Sequence, residues 1–381
     1  MFNFFSFANF FAIILLVMNM LETSLKVLKK FEDKGYKAYI VGGFVRDYIL
    51  GIESKDVDIA TNATPKDIME IFDNSVLPNE EYGAVTLFVK NSRFEVTTFR
   101  KEIRYLNNRK PVEIEYINDL LEDLKRRDFK MNTLCMNKDG EIIDLLNGRE
   151  DINQKIINTV GNSNFKFEQD SLRMLRAVRF ATILNFKLSD EVKKAIIKNK
   201  KSLITLSYNR KKQELDKIFA STNSKYGVEL LLELGLDKEL ELHNLANVNL
   251  KSDIIGIWAS LDVASGYQFT SNEKEIIKNV KKVVNSSIDN FSLYKYGLYV
   301  NQIASDIIGL DRTIVAQKYK NLPITSRKEI KISSSEIMTI LNKNSGPYFK
   351  EIYDSLEKMI LDGKLKNEEN SIKHYILENY S

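Results

Sequence analysis

The hydrophobic pattern of this chain changes partway along its length, and that change restricts the folds open to it. Up to about residue 152, short runs rich in β-branched and aromatic residues alternate with helical pieces, which is typical of an α/β domain. Beyond about residue 165, apolar residues recur every three or four positions, as in amphipathic helices. We therefore predict an α/β head followed by a long helical region. The predicted strands are AYIVGG (38–43), DVDIAT (56–61), AVTLFVK (84–90), RFEVTTF (93–99) and VEIEYI (112–117).

Two predicted helices of the head carry start or stop signals. Residues 22–34 place apolar residues near helical spacing, and Gly35 follows them as a C-terminal stop. In TPKDIMEIF, Thr64 is suited to cap a helix and Pro65 to occupy its first position.

The first twenty residues, MFNFFSFANFFAIILLVMNM, form an apolar stretch with no charge before Glu22. A secretory signal needs a basic start and a small-residue cleavage site, and both are missing. The stretch is near the lower length limit of a membrane span and is interrupted by asparagines. We expect Met20 to be the working start and residues 1–21 to be a dispensable leader, with a membrane anchor as the alternative. No membrane contact is expected unless residues 1–20 are retained.

Composition restricts the partners and the compartment. The 381 residues carry a net charge of +4 and the pI is about 8.7, which permits a nucleic-acid partner without requiring one. A single cysteine, Cys135, excludes an internal disulfide and suits a reducing cytosol, so a cytoplasmic location is expected. The only histidines, His243 and His374, argue against a histidine-rich metal site or a His-based triad.

A pair of acids, Asp56 and Asp58, stands in a strand-like run that ends Ile59-Ala60. Positions i and i+2 of a strand project from the same face, about 6 to 7 Å apart. This spacing suits two carboxylates that share Mg²⁺ ions, an arrangement used in phosphoryl and nucleotidyl transfer. A third acid, Glu95, lies within RFEVTTFR, where a carboxylate is costly unless it is paired or coordinated.

A glycine turn, Gly42-Gly43, precedes these acids and leads into a predicted helix. Its backbone can approach phosphates closely, and Arg46 on the first helical turn is placed to reach a phosphate oxygen. An Asp-x-Asp pair alone is most often a solvated surface pair, and a Gly-Gly turn alone is no more specific. In this order and this close together, they indicate a site for a nucleoside triphosphate and its metal ions.

The segments VGGFVRD (41–47) and DVDIAT (56–61) together resemble the signature of class II CCA-adding tRNA nucleotidyltransferases, of the polymerase-β-like nucleotidyltransferase superfamily. The likeness covers roughly residues 22–220. Its further motifs are EVTTFR (95–100), RRDFKMNTL (126–134), DLLNGREDI (144–152), DSLRMLRAVRF (170–180) and, more weakly, LSYNRKKQELDKIF (206–219).

The resemblance implies a nucleotidyltransferase head with a mixed sheet and flanking helices, followed by an all-α neck, body and tail. On this division, residues 22–152 form the head and residues 153–222 form a helical neck with a nucleotide-selecting helix. Residues 223–381 form a helical body and tail that bind tRNA.

The resemblance also implies roles for individual residues. The three acids named above would be the catalytic residues, with Asp56 and Asp58 holding the Mg²⁺. The remaining assignments concern the nucleotide: Gly43 and Arg46 would contact the triphosphate, Arg127 the nucleotide and Asp128 the ribose, and Asn132 falls on the family's asparagine.

Asp170 and Arg173 stand three residues apart, so they are expected to share one face of a helix. An ionised Asp only accepts hydrogen bonds and an Arg only donates them. The pair matches the edge of cytosine or adenine, an amine beside a ring nitrogen, and mismatches uracil and guanine. We predict that it selects C and A without a template, because a wrong base leaves polar groups unpaired. Arg176 and Arg179 would extend the same basic face toward phosphates or nucleotide; the alternative is an ordinary amphipathic helix.

Two departures from the family pattern bear on nucleotide choice. Gln169 stands where the family usually has Glu, which removes a charge beside the selecting aspartate, and Glu168 is the alternative acid. The segment IRYLNNRKP (103–111), which we interpret as a loop, has two asparagines at 107 and 108 where an Asp is usual. In the family, this loop is thought to assist the switch from C to A addition.

A basic stretch lies between Lys187 and Lys217, with ten Lys or Arg residues against four Asp or Glu. A charge run alone is more often a solvated helix face, but a basic stripe near an active site is also the footprint of an RNA backbone. With the resemblance, we expect it to bind the tRNA acceptor end through duplex shape and phosphates. The helices beyond residue 220 would extend along the tRNA toward its elbow.

Together these features predict template-independent addition of C, C and A to the 3′ end of tRNA. The substrates would be CTP and ATP, pyrophosphate would be released, and Mg²⁺ would be the metal. The alternatives are a CC-only or A-only enzyme, a poly(A) polymerase of the same superfamily, and a catalytically inactive RNA-binding relative. The three intact acids argue against the last alternative. No protein partner is implied.

Overall fold

The structure is a computed structural model that describes residues 20–54, 56–79, 83–90, 92–106 and 110–381. Residues 1–19 of the predicted leader and the asparagines at 107 and 108 lie outside the described residues. The chain forms two compact units, the first ending at Leu240 and the second spanning Glu241–Ser381. The head and neck boundaries at residues 152 and 222 stay predictions.

A seven-stranded mixed sheet forms the centre of the head. Its strands are β1 (Ala38–Val41), β2 (Val57–Thr61), β3 (Ser75–Asn79), β4 (Ala84–Val89), β5 (Ser92–Thr98), β8 (Cys135–Met136) and β9 (Ile142–Ile143). They lie in the order β3-β4-β5-β2-β1-β8-β9. β2 and β5 run parallel, and the other neighbouring pairs of the sheet are antiparallel. The predicted α/β head with a mixed sheet is confirmed.

The fifth predicted strand belongs to a separate hairpin, formed by β6 (Arg100–Leu106) and β7 (Lys110–Tyr116). Residues 103–111 were expected to form a loop, and this prediction is wrong for their described part, which lies in the hairpin. The reason is local: Ile103 and Tyr105 flank Arg104 in the period-two pattern of a strand, and the partner strand β7 alternates in the same way from Val112 to Tyr116. β3, which the sequence pattern did not indicate, contains a proline and occupies an edge of the sheet, where proline is tolerated.

Within the described part of the head, five helices accompany the sheet. They are α1 (residues 20–33), α2 (Gly43–Leu50), α3 (Pro65–Ile71), α4 (Leu120–Lys125) and α5 (Gly148–Gln154). The predicted start of α3 is confirmed: Thr64 and Asp67 form a reciprocal capping box, and Pro65 is the first helical residue. Gly35 follows α1 with a φ of 84°, the left-handed conformation expected of a helix stop.

The two faces of the sheet bury different residues. Val57 and Ile59 of β2 point into the main core of the head, where they are at most 2% exposed. Ala60 lies on the opposite face, in a smaller apolar cluster that includes Val41 and Cys135. Because side chains alternate along a strand, Asp58 shares the face of this smaller cluster.

The rest of the first unit is mostly helical, as predicted. Its helices are α6 (Ser163–Gln169), α7 (Leu172–Leu184), α8 (Asp190–Asn199), α9 (Tyr208–Phe219), α10 (Ser224–Glu233) and α11 (Leu236–Glu239). Two short strands, β10 (Ile156–Ile157) and β11 (Lys187–Leu188), pair in parallel and join the segment before α6 to the segment between α7 and α8.

The second unit is also helical, apart from the paired strands β12 (Leu242–His243) and β13 (Asp262–Val263). Its helices are α12 (Ile254–Ser260), α13 (Ser271–Val284), α14 (Asn290–Ile308), α15 (Arg312–Lys320), α16 (Ser334–Leu341), α17 (Tyr348–Leu361) and α18 (Glu369–Tyr380). Two apolar cores hold it together, one around Leu293 and Ile303 and one around Ile352 and Leu356. Across the described ranges, no helix is long and apolar enough to cross a membrane.

Candidate active site

Two of the predicted acids are neighbours across the sheet. Asp58 in β2 lies in register with Glu95 in the parallel strand β5, so both project from the same face. Each is exposed, while the residues before and after it in its strand are buried. Asp56 directly precedes β2 and is exposed as well. The head therefore brings Asp58 and Glu95 to one face of the sheet, with Asp56 just ahead of the same strand and close enough for its charge to act on Asp58.

The electrostatics of Asp58 show how closely these charges are gathered. Although the Asp58 side chain reaches solvent, the protein packed around its carboxyl removes part of its hydration and raises the pKa of Asp58 to about 6, and the negative charges of Glu95 and Asp56 add to the increase. The positive charge of the Arg127 guanidinium lowers the pKa of Asp58, but by less than the other effects raise it. A carboxyl held this way favours a nearby cation that would stabilise its ionised form.

The donor set of this region fits a hard metal ion such as Mg²⁺, because its ligands would all be carboxylate oxygens. In the part of the chain that the structure describes, no group of three acidic, histidine or cysteine side chains is arranged to hold a metal by itself. Mg²⁺ is commonly held by one or two carboxylates together with substrate phosphates, so a complete protein cage is not needed. Asp56 and Asp58 are the residues that would hold it.

The glycine turn stands directly beside Asp58. Gly42 has φ 77° and ψ −134°, a conformation that favours glycine, and α2 begins at the next residue. A Cβ on Gly42 would lie 3.7 Å from Asp58 Oδ2 and 3.7 Å from Arg127 Nη1. The turn therefore leaves the backbone of Gly42 open toward both a carboxylate and a guanidinium.

Arg46, one turn into α2, is only 7% exposed, and its guanidinium is fixed on two sides. Nε and Nη2 donate to Asp47 Oδ1 at 2.8 and 2.7 Å, and Nη1 donates to Asn132 Oδ1 at 2.7 Å. Asn132 in turn donates from Nδ2 to Asp128 Oδ1 at 3.2 Å. The RRDFKMNTL segment is thus joined to the glycine-turn helix by a chain of polar contacts.

Asp128 is the centre of this chain of contacts. Its Oδ1 also accepts the backbone N–H of Phe129 at 2.8 Å, and its Oδ2 accepts from Arg176 Nε at 2.8 Å. Burial acts to raise its pKa, but the Arg176 charge and hydrogen bond, with that from Asn132, hold the pKa of Asp128 well below its usual range. Asp128 is therefore a fixed, ionised acceptor.

Arg127 is oriented by an acid that the sequence analysis did not single out. Asp123, fully buried in α4, accepts from Arg127 Nη2 at 3.2 Å and from Arg126 Nε at 2.8 Å. Burial acts to raise the pKa of Asp123, but the two guanidinium groups outweigh it and the pKa is lowered. The sequence spacing could have predicted this pairing, since Arg126 and Arg127 follow Asp123 by three and four residues, the spacings that bring side chains together on a helix.

Asp170 and Arg173 do not share one helix, and the prediction that they do is wrong. α6 ends at Gln169 and α7 begins at Leu172, with Asp170 in extended backbone between them. The cause is the Asp170 side chain, whose Oδ1 accepts the N–H of Leu172 at 3.0 Å and so starts a new helix. Burial raises the pKa of Asp170, while the Arg173 charge opposes that rise.

Arg173 is 8% exposed and is held by three acceptors. Nη1 donates to the Lys166 carbonyl at 3.2 Å and to Gln169 Oε1 at 3.1 Å, and Nη2 donates to the Arg126 carbonyl at 3.1 Å. Gln169 thus orients Arg173 with a neutral oxygen, whereas the alternative acid, Glu168, is exposed to solvent.

These groups surround a cavity of about 410 Å³, which we call the arginine pocket. Nine of the twelve predicted site residues line it, and three more residues complete the lining. The predicted lining residues are Gly43, Arg46, Asp58, Arg127, Asp128, Asn132, Asp170, Arg173 and Arg176. The further ones are Gly42, Arg126 and Phe180. Asp56, Glu95 and Arg179 are not among the lining residues.

Arg179 faces away from the pocket toward α9. Its Nη1 lies 3.1 Å and 3.0 Å from the two carboxylate oxygens of Glu214, and both side chains are buried. Burial and the nearby positive charge of Arg176 lower the pKa of Arg179 to about 10. The predicted contact of Arg179 with phosphates or nucleotide has no geometric support in this arrangement.

The basic stretch is partly used inside the protein. Five of its ten cations are exposed, namely Lys187, Lys194, Lys198, Lys201 and Lys217. Others make internal contacts, as when Lys200 donates to the carbonyls of Leu234 and Gly235. The exposed lysines are the ones available to an external partner.

Three family models match this chain. Residues 38–158 match the Poly A polymerase head domain, and residues 262–376 match tRNA nucleotidyltransferase domain 2, putative. Between them, residues 185–244 match the probable RNA and SrmB-binding site of polymerase A.

Individual relatives cover almost the whole chain. The CCA-adding enzyme of Geobacillus sp. (strain WCH70) is 32% identical, with 93% of this chain and 96% of the relative aligned. The CCA-adding enzyme of Bacillus subtilis (strain 168) is 32% identical over 93% of this chain and 97% of its own. Among solved structures, the Bacillus stearothermophilus CCA-adding enzyme in complex with CTP matches with a TM-score of 0.78 at 29% identity, covering 93% of this chain and 96% of that one. The chain therefore belongs to the CCA-adding enzyme family and is a nucleotidyltransferase.

Proposed function

We propose that this protein adds C, C and A to the 3′ end of tRNA without a nucleic-acid template, using CTP and ATP and releasing pyrophosphate. The observation that carries the proposal is the arginine pocket, in which carboxylate acceptors and arginine donors surround one cavity that Asp58 also lines. The relatives' shared name as CCA-adding enzymes supports the same reaction.

The reaction is a single displacement at phosphorus. The oxygen of the tRNA 3′-hydroxyl loses its proton to solvent and forms a bond to the α-phosphorus, the bond from that phosphorus to the oxygen bridging to the β-phosphorus breaks, and pyrophosphate leaves. When bound by Asp56 and Asp58, Mg²⁺ would lower the pKa of the hydroxyl and offset the charge of the triphosphate. Glu95, in register with Asp58, would orient that carboxylate and add negative charge to attract the cation.

The cationic side of the pocket would bind the triphosphate. The open backbone at Gly42 and the start of α2 suit a phosphate, and Arg46 and Arg127 supply charge-assisted hydrogen bonds. Both guanidinium groups are already held by protein acceptors, so little side-chain entropy is lost when the nucleotide binds. Asp128, an ionised acceptor, would receive a ribose hydroxyl.

Base choice would rest on Asp170 and Arg173. Both line the pocket, one as an acceptor and the other as a donor. Cytosine and adenine complement that pair, whereas uracil and guanine would leave it unpaired at a cost in binding. The role does not require both residues to lie on one helix; it requires only that both face the same ligand.

The tRNA would contact the exposed lysines of the neck through its phosphates. The match of residues 185–244 to a probable RNA-binding family supports this assignment. We further propose that the second unit contacts the tRNA toward its elbow, that the protein works in the cytoplasm, and that it needs no protein partner.

An incorporation assay tests the proposal against its alternatives. Three tRNAs, ending before CCA, after C and after CC, would be offered CTP, ATP, UTP and GTP singly, and then CTP with ATP. Addition of CC followed by a single A supports the proposal. A stop after CC, or A added only to a CC end, indicates a divided activity, and a long A tail on unrelated RNA indicates a poly(A) polymerase. An inactive protein that still binds tRNA would be an RNA-binding relative.

A further inference from the structure

One aromatic ring of the pocket lining, that of Phe180, lies close to three guanidinium groups, two from the arginine pocket and one from outside its lining. The guanidinium carbons of Arg46, Arg176 and Arg179 lie 5.1, 5.3 and 4.3 Å from the centroid of the Phe180 ring. Each distance is within the range of about 6 Å over which a cation is attracted to an aromatic ring. Three positively charged side chains, from two helices, therefore converge on one uncharged residue.

Three guanidinium groups gathered around one ring repel one another, so the cluster needs other groups that stabilise the positive charges. Each guanidinium has its own acidic partner: Asp47 for Arg46, Asp128 for Arg176 and Glu214 for Arg179. The Phe180 ring is the group that all three share.

The ring itself is held in place by packing. Phe180 is 9% exposed and meets the fully buried Phe129 edge to face, with centroids 5.8 Å apart and ring planes at 82°. Phe129 belongs to the RRDF motif, and Phe180 ends the helix segment that carries the pocket arginines. Phe180 therefore joins the two segments that supply most of the cations of the pocket.

We propose that Phe180 is a positioning residue for nucleotide binding: its ring holds the Arg46 and Arg176 guanidinium groups in place at the wall of the arginine pocket. This inference rests on the proposed function, since it needs a nucleoside triphosphate in the arginine pocket. An aliphatic side chain of similar size would fill the space but would offer no negative ring face to the arginines. The interaction is present before and after the chemical step, so its loss should weaken binding rather than slow the reaction.

The test replaces Phe180 with mono-, di- and trifluorinated phenylalanine, which withdraw electron density from the ring face with little change in size. The KM for CTP and for ATP should rise in step with fluorination, by about tenfold over the series, while kcat stays within about twofold. A merely structural role would leave the KM flat, and a flat series would overturn the inference.

Leucine variants provide a matched pair of conventional substitutions. Phe186, 2% exposed and just beyond the end of α7, lies outside the pocket lining. Phe180→Leu and Phe186→Leu should lose similar stability, but only Phe180→Leu should raise the nucleotide KM. Equal KM values for the two variants would contradict the inference while leaving the proposed function intact. Wild-type protein that adds neither C nor A to tRNA would overturn both.

Discussion

Two nitrogens of Arg176, on α7, contact the same carboxylate oxygen of Asp128, Nε at 2.8 Å and Nη2 at 2.6 Å. The contact links the RRDF segment of the head to the helix that follows Asp170, 48 positions later in the chain. It fixes the carboxylate that the proposed function assigns to the ribose, and it places a cation at the wall of the pocket.

Replacing Arg176 by Lys should therefore reduce nucleotide addition although the charge is kept. A lysine has a single nitrogen in place of the planar fork, so it cannot contact Asp128 and the nucleotide in the same geometry. We expect kcat/KM for CTP to fall about ten- to hundredfold, from steady-state incorporation on tRNA lacking CCA. The exposed Arg149→Lys serves as the control and should change nothing. If the two variants were equally active, Arg176 would have no role in nucleotide addition.

The raised pKa of Asp58 gives a test of the metal assignment that does not depend on activity. Without divalent cations, Asp58 should titrate near pH 6, protonated below that pH and ionised above it. A bound cation stabilises the ionised form, so Mg²⁺ should move the titration to lower pH. Carboxyl-carbon NMR on the ¹³C-Asp-labelled protein would follow it, with Asp58→Asn identifying the signal. A midpoint unchanged by saturating Mg²⁺ would refute the assignment.

Asp170→Asn should relax base choice in a defined direction. The asparagine oxygen can keep the hydrogen bond to the Leu172 N–H, while its amide offers a donor where the carboxylate offered an acceptor. A donor there suits the carbonyl of uracil, so the preference for CTP over UTP should shrink at least about tenfold. Competition between the two nucleotides on tRNA lacking CCA measures the ratio. Unchanged discrimination would mean that Asp170 does not contact the base.

In the second unit, α14 bends at Gly297, and the backbone conformation there predicts that replacing this glycine lowers the free energy of unfolding. Its φ of 75° and ψ of 174° are confined almost entirely to glycine, although a Cβ there would meet no atom within 4 Å. Gly297→Ala should therefore cost about 1–3 kcal/mol of unfolding free energy through the backbone alone. Gly309→Ala is the control, since φ 76° and ψ 20° form an ordinary left-handed cap that alanine adopts at lower cost. Urea unfolding should rank Gly297→Ala as the less stable; the reverse order would argue against the bend.

Local signals predicted most of the fold of the head and the entrance to its site. Alternation along β2, the Thr64 cap and the Gly42 turn each depend on residues close together in the sequence, and the structure follows all of them. The break at Asp170 was missed because apolar spacing continues through residues 163–184 as if one helix were present. The break arises because the Asp170 side chain accepts the backbone N–H of Leu172, a local hydrogen bond that apolar spacing does not reflect.

Long-range pairing explains the remaining differences. Arg179 pairs with Glu214 instead of lining the pocket. The two residues are 35 positions apart in the sequence, so no helical or strand spacing predicts that they meet. The spacing around Phe180 gives no sign of its contacts with three guanidinium groups, because those groups come from two separate helices. Spacing along one segment predicts which side chains share a face, but it does not predict which distant group each one meets.

The most direct test of the account compares wild-type protein with Asp58→Asn in the addition of A to a tRNA that ends in CC. Both proteins would be supplied with ATP and Mg²⁺, and tRNA binding would be measured in parallel by filter retention. We expect wild-type protein to add one A, and Asp58→Asn to lose at least about a hundredfold in rate, because an interaction worth several kcal/mol in the transition state is removed. Its tRNA affinity should be unchanged. Addition of A by Asp58→Asn at the wild-type rate would contradict the assignment of this carboxylate to the chemical step.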